Sequence, residues 1–230
     1  MSERPVALVT GASRGVGAAI ARALAPTHDL LLGGRDRAAL DSVCAGLPGA
    51  RPWPVELTAV TAADVEGVDR LDLLVHSAGT VRLGDVAETP AAEWRRTFEV
   101  NLFAVTELTR LLLPALRAAG GQVVLINSTA GQRVNAGWGA YAASKLALRA
   151  FADALRLEEH SHGVRVTTIY PGRTDTDMQR GVRAQEGGDY EPGKYLNVDS
   201  VAKAVLAAVT VTADAQITEI TIRPSASLPS

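Results

Sequence analysis

Short, continuously apolar runs alternate along this chain with longer segments of helical periodicity. Runs rich in β-branched residues or leucine occur at 5–10, 29–33, 51–55, 71–76, 122–127, 164–170 and 216–222. Their apolar character is continuous rather than alternating. Continuous apolar character predicts strands covered on both faces, which is how parallel sheets are built. Helices are predicted at 16–25, 37–46, 91–119, 138–160 and 199–208. In the third of these, Trp94, Phe98, Leu102, Val105, Leu108 and Leu112 recur every three to four residues and form one apolar stripe. Pro114 is expected to kink its last turns. The connection from Val55 to Leu71 has room for only about two to three helical turns. Residues 179–197 are rich in glycine and charge and show little periodicity, which predicts a mobile loop.

Strand and helix in this alternation give right-handed crossovers, with ligands bound outside the carboxyl ends of the strands. The fold expected is α/β: a single-domain, Rossmann-like doubly wound sheet over residues 1–230, with about seven mainly parallel strands and helices on both faces. The 230 residues, 47% of them hydrophobic, suffice for one full core. A formal charge of −2 with no block of like charges provides no electrostatic footprint for nucleic acid or an anionic membrane. The lone cysteine, Cys44, allows no intrachain disulfide, and the four histidines lack the ligand spacing of a metal site, so no metal is expected. Residues 1–4 are polar and lead straight into the first apolar run, and no apolar run reaches the length of a membrane span. The expectation is a cytoplasmic protein without nucleic-acid or membrane partners.

Candidate chemistry begins after the first strand, at Thr10-Gly11-Ala12-Ser13-Arg14-Gly15-Val16-Gly17. Glycines there let a pyrophosphate approach the backbone at a helix N-terminus, although a tight strand-to-helix connection has the same appearance. The second strand ends at Gly33-Gly34-Arg35, where dinucleotide folds meet the adenosine ribose. Arg35, with Arg14 as a second cation, favours a 2′-phosphate and therefore NADP(H) over NAD(H). Asp36 leaves two other possibilities open, a pair with Arg35 or an approach to the ribose itself. Further along come Asn101, Ser128 and the pair Tyr141 and Lys145, four residues apart on one helical face. Free tyrosine has a pKa near ~10, and an adjacent ammonium is expected to lower it.

With these motifs in this order, residues 5–176 resemble the short-chain dehydrogenase/reductase family. The resemblance implies that Tyr141 is the catalytic acid in reduction and base in oxidation, and that Ser128 orients the substrate oxygen. It implies that Lys145 tunes the tyrosine and bonds the nicotinamide ribose, while Asn101 holds a water linking that lysine to solvent. Gly11, Ser13, Arg14, Gly15, Val16, Gly17 and Arg35 would bind the cofactor. Glu56 and Leu57 would contact adenine, and Pro171, Gly172, Thr174 and Thr176 would hold the carboxamide. Ala78 and Gly79 close His76-Ser77-Ala78-Gly79, where the family has asparagines in place of His76 and Ser77. The expected partner is a small carbonyl or alcohol, with Gln132, Arg133, Trp138 and Met178 lining its pocket and 179–197 acting as a lid. The resemblance also implies a homodimer or homotetramer packed through the 91–119 and 138–160 helices. A non-catalytic NADP(H)-binding sensor on the same fold is the competing expectation.

Overall fold

Every ladder in the sheet is parallel, and seven strands run in the order β3-β2-β1-β4-β5-β6-β7. The computed structural model describes residues 4–212 and 214–225. The strands are β1 Val6–Thr10, β2 Asp29–Gly34, β3 Ala50–Pro54, β4 Leu73–His76, β5 Gln122–Ile126, β6 Arg165–Pro171 and β7 Glu219–Ile222. Side chains of a strand point alternately to its two faces, so a run apolar at every position feeds two cores at once. In β1, Ala7 and Val9 enter one core while Leu8 enters the other. The first core is closed by Ile20 and Leu24 of α1 (Gly15–Leu24), Leu40 of α2 (Arg37–Cys44), and Val201 and Val205 of α7 (Val198–Val209). The second is closed by Leu108 and Leu112 of α4 (Ala104–Ala119) and by Leu148 and Leu155 of α5 (Gly139–Glu159). Because β1 lies between β2 and β4, the winding direction reverses beside it and opens a crevice at the strands' carboxyl ends.

Three elements differ from expectation. Between β3 and β4 the chain makes only two short 3-10 turns, Leu57–Ala59 and Ala62–Val65. The β3 strand pairs only with β2, and an edge of this kind tolerates the missing donors of Pro52 and Pro54. The long helix predicted over 91–119 is interrupted: α3 spans Ala91–Phe98, a π-helical turn covers Glu99–Phe103, and α4 then runs through Pro114 to Ala119. Part of the expected loop is a helix, α6 (Asp177–Gln185), started by the Thr176 hydroxyl accepting the Gln179 N–H and anchored by buried Val182. Its inward-facing residues are too few to show as periodicity.

The seat of α1 on β1 depends on a missing side chain. A Cβ on Gly17 would stand 2.3 Å from the Gly11 carbonyl oxygen, so the helix start lies directly on the turn that leaves β1. Gly17→Ala should therefore destabilise the chain by about 1–3 kcal/mol, the usual cost of overpacking. Denaturant unfolding measures this, and an unchanged midpoint would contradict the packing described.

Candidate active site

A cleft of about 1350 Å³ opens along the carboxyl ends of the strands, and its wall includes the glycine loop at one end and Ser128, Tyr141 and Lys145 at the other. Gly11 and Gly15 adopt positive φ of 65° and 56°, the left-handed region where glycine carries no Cβ penalty. Gly11 is also packed, since a Cβ there would meet the Ala78 Cα at 2.8 Å. The loop after β4 is held against it by the Thr10 hydroxyl, which accepts the N–H groups of Ser77 and Ala78 at 3.1 and 3.2 Å. Thr10 thus provides side-chain bonding where both family asparagines are replaced. His76 instead turns into the core, where it shares a 2.9 Å hydrogen bond with the Thr109 hydroxyl and burial pushes its pKa down to about 3.

All the residues expected at the cofactor, from Gly11 to Thr176, border this cleft. Arg35 lies 3.8 Å from Glu56, and Arg14 lies 3.8 Å from Asp177, both in exposed pairs of small energetic weight. Asp36 forms no ion pair with Arg35, which faces Glu56 instead. Its carboxylate caps α2, accepting the Ala39 N–H at 3.0 Å, and it does not border the cleft. Seven cations border the cleft (Arg14, Arg35, Arg96, Arg133, Lys145, Arg173 and Arg223) against three carboxylates (Glu56, Glu99 and Asp177). The balance is positive in a chain whose net charge is −2.

At the other end, Ser128 follows β5 and caps a short 3-10 turn, its hydroxyl accepting the Ala130 N–H at 3.1 Å. Tyr141 and Lys145 sit one turn apart in the first turns of α5, and both are buried. Lys145 Nζ donates to the Ile126 carbonyl at 3.0 Å and lies 5.9 Å from the centre of the Tyr141 ring. Burial lowers the Lys145 pKa to about 8. The expected lowering of Tyr141 does not occur. Burial raises its pKa above the ordinary phenol value, with the Ser128 hydroxyl pulling the other way. At this depth, removing the phenolate from water outweighs the stabilising groups around it.

Asn101 lies in the π-helical turn, completely buried behind the cleft wall. Its amide accepts the Thr80 N–H at 2.8 Å and donates to the Thr80 carbonyl at 2.9 Å and to Ser144 at 3.1 Å. Asn101 therefore fixes the segment after Gly79. Asn127 does similar work and was missed: it donates to the Lys145 carbonyl at 3.0 Å and accepts the Ser128 N–H at 2.9 Å, joining β5 to α5. Its place beside Ser128 at a strand end was the available signal. Arg133, Trp138 and Met178 border the cleft. Gln132 does not, because its amide turns away to donate to the Thr221 hydroxyl of β7 at 2.8 Å. Arg173, also missed, borders the cleft and lies over the Trp138 ring at 5.8 Å. Among the described residues no helix is long and apolar enough to cross a membrane, and no group of three His, Cys, Asp or Glu side chains is arranged to hold a metal.

A family model described as short chain dehydrogenase matches residues 5–187. The glycine betaine reductase of Emericella nidulans is 35% identical over 235 residues, which cover 95% of this chain and 18% of that protein. The chain thus spans a small part of that relative's length. An alcohol dehydrogenase from Thermococcus sibiricus, solved with 5-hydroxy-NADP, superposes with a TM-score of 0.86 at 27% identity, covering 99% of this chain and all of that one. A 3-oxoacyl-(acyl-carrier protein) reductase from Brucella melitensis, solved with NAD, gives 0.84 at 29% identity over 96% of both chains.

The buried ammonium leaves a trace in stability. Lys145 binds its proton less tightly in the folded chain, with a pKa of about 8, than at the ordinary 10.5. Burial therefore destabilises the folded state at pH 7, and this penalty fades as pH rises through that interval. Lys145→Met should be more stable than the parent at pH 7, with the gap narrowing towards about pH 10. Paired denaturant titrations measure the gap; one that stayed constant with pH would contradict the burial.

Proposed function

Because this chain belongs to the short-chain dehydrogenase family, we propose that it transfers a hydride between NADP(H) and a carbonyl or alcohol substrate, with Tyr141 moving the accompanying proton. The observation that carries this reading is a buried phenol and a buried ammonium, one helical turn apart, opening on the same cleft as the glycine loop. The cleft suits such a cofactor. At Gly11 and Gly17 the turn is packed backbone on backbone, leaving no side chain between it and the cleft. Arg14 and Arg35 are held only by long, exposed ion pairs, which a phosphate dianion can replace with shorter charge-assisted bonds. With Asp36 committed to capping α2, the positive balance of the wall favours NADP(H) over NAD(H). The nicotinamide, when bound, supplies or accepts the hydride.

The chain's own groups manage the proton. With its pKa raised, Tyr141 keeps its proton at pH 7 and can give it to an alkoxide forming at the substrate carbon. Ser128 offers a hydroxyl to the same oxygen. Lys145, still mostly protonated at pH 7, places positive charge beside that oxygen as negative charge develops. We assign residues 179–197 to a lid, because α6 and Gln185 border the cleft mouth. Exposed Phe103, Leu146 and Leu157, on or beside α4 and α5, support association into a homodimer or homotetramer through those helices.

A panel of carbonyls and alcohols assayed with both cofactors tests this reading. Tyr141→Phe should lose at least about a hundredfold in turnover while binding NADPH as the parent does. Near-normal turnover in that variant would remove Tyr141 from the mechanism. Arg35→Ala should weaken NADPH far more than NADH; equal losses would contradict the 2′-phosphate assignment. Bound NADPH should protect 179–197 from limited proteolysis, and equal cleavage with and without it would count against a lid.

A further inference from the structure

Two adjacent residues at the end of α6 grip the cleft wall. Gln185, the last residue of the helix, accepts the Leu83 backbone N–H through its side-chain oxygen at 3.0 Å, across 102 positions of sequence. Glu186, the next residue, takes the Arg173 guanidinium in two hydrogen bonds of 2.5 and 2.8 Å, and Arg183 in a third of 2.7 Å. Burial alone would raise the Glu186 pKa, but the two guanidinium groups outweigh it and hold the carboxylate below its ordinary value. It stays ionised, and the clasp stays closed, at neutral pH.

The two handholds end on one structure. Gly84 donates its N–H to the Gly137 carbonyl at 2.8 Å and pairs with Trp138 in a short parallel bridge, so Leu83 and Trp138 belong to one backbone junction. That junction opens α5: the Trp138 carbonyl accepts the Ala142 N–H at 2.8 Å, and Tyr141 stands between them in sequence. Arg173, fixed by Glu186, lies over one side of Trp138 at 5.8 Å. Trp138 in turn meets Tyr141 edge-on, with ring centres 5.8 Å apart and planes at 62°. A bidentate guanidinium and carboxylate pair fixes both distance and plane, and a guanidinium over an indole adds attraction.

We infer that Arg173 is a positioning residue: acting through Trp138, it couples docking of the α6 end to placement of the Tyr141 phenol. The inference rests on Tyr141 being the proton-transfer group. Arg173 borders the cleft, but two of its guanidinium nitrogens are fixed by Glu186, a geometry that suits a brace better than a receptor for a substrate anion. Lysine cannot reproduce the fork, so charge alone will not restore the brace.

The test measures steady-state and single-turnover NADPH oxidation with a neutral carbonyl substrate in Arg173→Ala, Arg173→Lys, Glu186→Gln and the Arg173→Ala/Glu186→Gln double variant. Each single variant should lose roughly tenfold or more in kcat, since small misplacements of reacting groups cost up to about a hundredfold. The double variant should be no worse than the poorer single one, because both break the same brace. NADPH affinity should stay within about twofold of the parent, and deuterated NADPH should show a larger isotope effect as hydride transfer becomes limiting. Gln185→Ala, which leaves the Arg173 pair intact, should cost less than any of them. Parent-like kcat in Arg173→Ala, losses confined to KM, full activity in Arg173→Lys, or a parallel fall in NADPH affinity and melting temperature would overturn the inference. Parent-like Arg173→Ala beside an inactive Tyr141→Phe removes this inference alone, whereas a fully active Tyr141→Phe removes the reading beneath it.

Discussion

An ammonium held inside the protein, 4% exposed and bonded to one backbone carbonyl, is the constraint around which the Tyr141 end of the cleft is arranged. Burying a charge is costly unless it is well partnered, so Lys145 depends on the exact station of Ile126 at the end of β5. The strand and the helix that follows it must therefore keep one register. Asn127 enforces it from the strand by donating to the Lys145 carbonyl. Gly131 permits it from the connecting turn, since a Cβ there would lie 2.6 Å from the Asn127 side-chain oxygen and 3.0 Å from the Lys145 carbonyl. With Lys145 so placed, Tyr141 stands one turn earlier on the same helix, where Trp138 meets its ring edge-on and the Ser128 hydroxyl acts on its phenol.

The two ends of the cleft use charge in opposite ways. At the glycine loop the cations are exposed and loosely paired, which suits a multiply charged group arriving from water. At the tyrosine the groups are few, buried and shifted in pKa, which suits proton transfer away from water. The same sheet provides both, because β1 ends beneath the first and β5 beneath the second. Thr10 and Asn101 tie the segment between them to both sides, one through Ser77 and Ala78 and the other through Thr80.

Much of this was legible in the sequence, and the failures have physical causes. The central strands were visible because parallel strands covered on both faces favour apolar residues at successive positions, as in β1 and β4. The edge strands β3 and β7 are less apolar, with Arg51, Glu219 and Thr221 exposed. The turns between β3 and β4 were not, since short 3-10 segments carry no period. The break at Asn101 was invisible for another reason: the preference of its amide for the Thr80 backbone is a tertiary effect that the stripe from Trp94 to Leu112 does not register. Helix α6 hid behind Gly181 and a mostly polar surface, with little but Gln179 and Val182 facing inward. The motif residues around the glycine loop and at Ser128, Tyr141 and Lys145 come together on one cleft. The direction of the Tyr141 shift was misjudged because spacing reveals a neighbouring charge but not the depth at which both groups lie. Gln132 was misplaced because proximity in sequence to Ser128 says nothing of the Thr221 hydroxyl that captures its amide.

The central claim is that the Tyr141 phenol and a bound nicotinamide act on the same substrate carbonyl. A crystal structure with NADP(H) and an unreactive carbonyl analogue tests it most directly. The account predicts the ligand oxygen within about 3.2 Å of both the Tyr141 and Ser128 hydroxyls, with the nicotinamide against the carbonyl carbon. A phenol out of hydrogen-bond reach of that oxygen, with the nicotinamide bound, would contradict it.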